Sequence, residues 1–139
     1  MRLYLDTNIL VFLVNDVHGR IDNDTMALLT DEANVLFTSA ACAHELVDLV
    51  LKGNIKRSKE WRKNEGVLDR LEEFGIKVEP VTEKHVRAEE ALTLYEDHRD
   101  PIDRLIIAQA ISDRTMLVSS DRMFPRYRHE GLEFHLNTW

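Results

Sequence analysis

The chain has 139 residues, 44% hydrophobic and 31% charged, with five Gly, three Pro and a single Cys. This length fits one domain, 1–139, with a proper core; the composition excludes disorder, and the lone Cys42 excludes an internal disulfide or a cysteine-rich zinc site. The formal net charge of −7 reads against nucleic acid, because phosphate binding draws on Lys and Arg, unless carboxylates hold divalent cations that reverse the sign locally.

In chain order, RLYL (2–5) reads as a short apolar strand that stops on Asp6, followed by helical patterns over 8–16 and 24–33. VLFT (35–38) is a second strand. Ser39 then stands as the N-cap of a helix over 40–51, and Ser58 as that of a long helix over 58–74. IKVE (76–79) is the third strand, and Thr82 opens a helix over 83–97. In HRDPIDRLIIAQA (98–110), Asp100 suits an N-cap, Pro101 the first helical position and Asp103 the first turn, for a helix over 102–113. TMLVS (115–119) and LEFHL (132–136) complete the strands.

Strands separated by helices imply right-handed crossovers and a mainly parallel sheet covered on both faces. No repeat, low-complexity segment or linker marks a domain boundary. No stretch approaches the roughly 20 apolar residues that cross a bilayer, and Met1-Arg2 leads straight into a strand, so a cytoplasmic protein with no membrane contact is expected.

In a parallel sheet, side chains just beyond the carboxyl ends of the strands converge on the ligand site. Asp6 follows the first strand, Glu45 lies in the helix after the second, Asp103 opens the helix before the fourth and Asp121 lies just past it. Each has a plainer reading: Asp6 caps a helix, and an acid at Asp103 suits the helix dipole. Four carboxylates brought together nevertheless repel one another, and burial worsens this, so the cluster needs a cation. Hard oxygen ligands suit Mg²⁺ or Mn²⁺.

DTNIL, SAACAHEL with Glu45, DPIDRLIIAQA with Asp103 and LVSSDRMF with Asp121 together resemble the motifs of PIN-domain ribonucleases, especially the VapC-like toxins of type II toxin–antitoxin pairs. The resemblance implies a three-layer α/β/α sandwich in which Asp6, Glu45, Asp103 and Asp121 hold Mg²⁺ or Mn²⁺ and cut RNA. Asn8 and Ser119 match accessory polar positions; Ser119 stands where the family often has Thr. Asp100 is read as a cap or a supporting residue. A homodimer and an antitoxin partner are further expectations, with Trp61, Leu68 and Leu71 as candidate dimer contacts.

Arg104 and Arg122, and beyond them Arg126 and Arg128, stand close after two of the acids, either to hold RNA phosphates or to sit solvated or paired with acids. The basic run 52–63 around Trp61 reads as a solvated face, or else as an RNA guide or partner surface. His44 and His98 lie beside motif residues but lack a sequence partner that marks either as a base, so surface or supporting roles are expected. A receiver-like Mg²⁺-binding signalling module would want paired acids after the first strand, where this chain has Leu5-Asp6-Thr7. A catalytically inactive PIN-type binding domain is the other alternative.

Overall fold

The computed structural model describes residues 1–139, the side chain of His18 excepted. Its strands are β1 (Arg2–Leu5), β2 (Val35–Ser39), β3 (Ile76–Glu79), β4 (Met116–Ser119) and β5 (Phe134–Leu136). Its α-helices are α1 (Thr7–Val14), α2 (Asn23–Thr30), α3 (Ala40–Leu51), α4 (Val67–Glu73), α5 (Glu83–Glu90) and α6 (Pro101–Asp113), with 3₁₀ turns at His18–Arg20 and Phe124–Glu130.

The strands form one sheet in the order β3-β2-β1-β4-β5, every pair parallel. Leu3, Tyr4 and Leu5 of β1 and Leu117, Val118 and Ser119 of β4 are all buried. Consecutive strand residues point to opposite faces, so burial of every one of them means that helices cover both faces, as an α/β/α sandwich requires. Burying an aliphatic side chain of this kind contributes about 1.5–3 kcal/mol, and these central strands hold the sheet's largest share of such residues.

Chain order reverses direction at β1. From β1 the chain steps outward to β2 and β3, then returns to β4 on the opposite side of β1. The crevice beyond the carboxyl ends of β1 and β4 is therefore the switch point where ligands bind in open α/β sheets. A receiver-like sheet has the order 2-1-3-4-5, which this one does not.

The expected helices at 8–16 and 24–33 end two and three residues early, and two others are much shorter in the structure. Only Val67–Glu73 of the 58–74 stretch is helical, capped by Gly66 rather than Ser58. Ser58 is engaged elsewhere, donating its amide to Asn15 and its hydroxyl to Asp16. Trp61, 3% exposed, donates its indole N–H to the carbonyl of Glu65 and fixes the intervening residues as turns. Gly75, at φ 71°, then supplies the left-handed residue that lets the chain leave α4 for β3.

Helix α5 stops at Glu90 instead of running to 97, because the Arg104 guanidinium takes the carbonyls of Glu89, Leu92 and Thr93. Trp61 and Leu71 lie in the chain's own core and are not available to a dimer, whereas Leu68 is exposed. Among the described residues, no helix is long and apolar enough to cross a membrane.

Candidate metal centre at the sheet switch point

Asp6 stands at the first position beyond β1, where its amide still bonds to Val118 O of β4 at 3.0 Å. Its side chain is divided between a helix cap and the end of β4. Oδ1 accepts from the Thr7 amide at 2.7 Å as the N-cap of α1, while Oδ2 accepts from Ser119 Oγ at 2.6 Å and from Asn8 Nδ2 at 3.2 Å.

Ser119 Oγ accepts in turn from the Asp121 amide at 3.0 Å, and Asn8 Oδ1 accepts from the Ser120 amide at 3.1 Å. Asp121 Oδ1 accepts from the Met123 amide at 2.8 Å. Asn8 and Ser119 thus splice the end of β1 to the end of β4. Asp100 caps α6, accepting from the amides of Ile102 and Asp103, and its own side chain is exposed. That cap sets the first turn from which Asp103 projects.

Asp6, Glu45, Asp103 and Asp121 line one cleft of about 340 Å³, with Thr7, Asn8, Val11, Phe12 and Leu49 as the rest of its wall. A larger apolar groove of about 510 Å³ beside α3 and α4 carries none of the four acids. Burial pushes Asp6 up to about 6 against the hydrogen bonds of Ser119 and Thr7, and Glu45 and Asp121 push the same way. Asp103 is pushed up to about 8, again by burial first and then by Asp6, Asp100, Asp121 and Glu45. Asp6 and Asp103 therefore resist ionising beside their acidic neighbours, which is the condition a divalent cation relieves.

The set whose donor atoms come closest together is not the four acids alone. Atoms of His98, Asp103 and Asp121 all lie within 4.8 Å of one another, while Asp6 and Glu45 complete the wall of the cleft. His98, expected in a supporting or surface role, is buried with Nε2 3.4 Å from Asp103 Oδ2. A turn closed by the His98 amide on Tyr95 O delivers it there. Its place two residues before the Asp100 cap is the sequence signal that marks it. His44 is exposed.

The arginines separate. Arg104 does not face the cleft: it is 8% exposed, and its guanidinium is occupied by three carbonyls around the end of α5. This corrects the expectation that it holds phosphates. Arg126 is paired with Asp97 at 2.6 Å, and Arg128 donates to Phe134 O. Arg122 is exposed next to Asp121. Burial pushes the Cys42 thiol far up, in keeping with a small core residue.

With this geometry in view, comparison with known proteins assigns the class. Residues 3–130 match the family model described as PIN domain, and the chain belongs to that family, whose members are nucleases as a class. Comparison with curated proteins finds no match.

Among solved structures, the chain is similar to one described as VapBC2 from Rickettsia felis bound to a DNA fragment from their promoter (22% identity, TM-score 0.68, 99% of this chain and 100% of that one). It is similar to VapBC-1 from nontypeable Haemophilus influenzae (18%, TM-score 0.63, 98% of each). A third likeness is DNA-bound VapBC from Salmonella typhimurium (16%, TM-score 0.65, 97% of each). At these identities the likeness is one of fold.

Proposed function

We propose that this chain is a metal-dependent endoribonuclease and the toxin of a toxin–antitoxin pair. The observation that carries the reading is the convergence of Asp6, Glu45, Asp103 and Asp121 on one cleft at the sheet's switch point, with Asp6 and Asp103 held well above the usual carboxylate range. Their oxygen donors suit Mg²⁺ or Mn²⁺. When bound, such an ion supplies a water of lowered pKa and positive charge for the phosphodiester.

The chain's own residues do the positioning. Ser119 and the Thr7 amide fix the Asp6 carboxylate from two sides, and the Met123 amide fixes that of Asp121. Val11, Phe12 and Leu49 give the cleft an apolar wall. Arg122, exposed beside Asp121, offers a cation to the RNA backbone.

The VapBC complexes among the fold's neighbours support an antitoxin partner. Against a cleft of carboxylates the fitting partner is basic, inserting an Arg or Lys where the cation would sit. A homodimer brings two such clefts to one RNA, and Leu68 is the exposed candidate contact. Light scattering that returns a monomer mass at micromolar concentration would reject the dimer.

The decisive test incubates a mixed RNA pool and a matching single-stranded DNA with the protein in Mn²⁺, Mg²⁺ or EDTA. RNA is expected to be cut in either metal, to stay intact in EDTA, and to stay intact with Asp103→Asn. Uncut RNA at saturating Mn²⁺ would overturn the reading and leave a PIN-type binding domain.

A further inference from the structure

His98 has no place in the four-acid description, yet it is tightly held beside the cleft. It is 6% exposed, and its Nδ1 lies 2.8 Å from the hydroxyl of the buried Tyr127. Its ring is gripped by Phe124, centroids 5.6 Å apart at 72°, and by Tyr127 at 5.5 Å. Nε2 emerges from this aromatic seat toward Asp103 and Asp121, buried and, among the described residues, without a hydrogen-bond partner. A buried ring nitrogen without a partner costs free energy, and this one points at the carboxylates of Asp103 and Asp121, whose donor atoms lie within 4.8 Å of it and of each other.

We propose that His98 Nε2 is a nitrogen ligand to a divalent cation shared with Asp103 and Asp121, and that this ligand turns the centre toward a first-row transition ion such as Mn²⁺ over Mg²⁺. The inference rests on the metal-binding reading of the cleft and adds a donor that the acids do not provide. Magnesium takes oxygen ligands almost to the exclusion of nitrogen, whereas imidazole suits transition ions. Ligation by Nε2 requires the proton on Nδ1, which then donates to the Tyr127 oxygen. A histidine ligand commonly anchors its second nitrogen in this way, which fixes both tautomer and ring orientation. Tyr127 is thus a positioning residue for the ligand.

The test is made on the full chain with Mn²⁺ alone. Pulsed electron paramagnetic resonance of the bound ion is expected to show ¹⁴N modulation from a directly coordinated imidazole, lost in His98→Gln. Calorimetry is expected to show Mn²⁺ affinity falling about tenfold or more in His98→Gln and by a smaller factor in Tyr127→Phe. Mg²⁺ affinity should change less than either.

Mn²⁺ bound to the wild-type chain without ¹⁴N modulation overturns this inference and leaves the metal reading standing. No Mn²⁺ binding at all overturns both. The measurement on the wild-type chain decides the matter even if His98→Gln fails to fold.

Discussion

Ser119 and Asp6, 113 residues apart, share a 2.6 Å hydrogen bond across the point where the sheet reverses its order. The same hydroxyl accepts from the Asp121 amide. Ser119→Ala therefore leaves a buried carboxylate oxygen and an amide each short of a partner. The expected cost is about 1–3 kcal/mol, read as a lower urea midpoint in EDTA with unchanged slope. An unchanged midpoint would mean that the splice contributes nothing to stability.

The metal-free protein should lose stability as pH rises. Asp6 and Asp103 have folded-state values raised to about 6 and about 8 from 3.8. A raised carboxylate binds its proton more tightly folded than unfolded. Its contribution is fully present below about pH 4 and is lost as pH climbs through the folded value. Melting temperature in EDTA is expected to fall by several degrees between pH 5 and pH 9. Asp103→Asn, which has no charge to form, should flatten the upper part of that fall. A wild-type curve as flat as the variant's would refute the like-charge account of the cleft.

Mn²⁺ should reverse the loss. A ligand at 100 times its Kd that binds only the folded state adds about 2.7 kcal/mol. At pH 8 the rise in melting temperature should be large for the wild-type chain and mostly absent for Asp103→Asn, which keeps its fold. An equal rise in both would show that the ion binds elsewhere.

Arg104 and Arg122, adjacent to different acids in sequence, should behave oppositely. Arg104→Ala removes the guanidinium that satisfies three carbonyls at the end of α5. It should cost about 2–4 kcal/mol, in the range of a lost charged hydrogen-bond group with partners stranded. Arg122→Ala should leave stability within about 0.5 kcal/mol, weaken RNA binding, and reduce its salt dependence by about one phosphate contact. Equal melting temperatures for the two variants would contradict this division.

Local signals made much of this fold legible. The strands at 2–5 and 76–79 and the helix at 40–51 occur at the expected residues, because short apolar runs and a Ser39 cap act over a few positions. The acids at the ends of β1 and β4 follow from the same local pattern. What stayed hidden depends on distant contacts: Ser58 is drawn to Asn15 and Asp16, Trp61 sinks into the core, and Arg104 ends α5 from another helix. His98 belongs with these. Its partners Tyr127 and Phe124 follow it by more than twenty residues, and only packing brings them round its ring.

The long span between Asp6 and Ser119 also governs when the centre comes into being. A growing polypeptide that has completed β1, β2 and β3 possesses Asp6 and Glu45 but neither the hydroxyl that steadies Asp6 nor Asp121. Contacts at such separation form late, because loop closure must precede them. A chain interrupted before residue 119 thus lacks the assembled acidic cleft, and a cell that makes this protein meets no finished cleft until synthesis has passed β4.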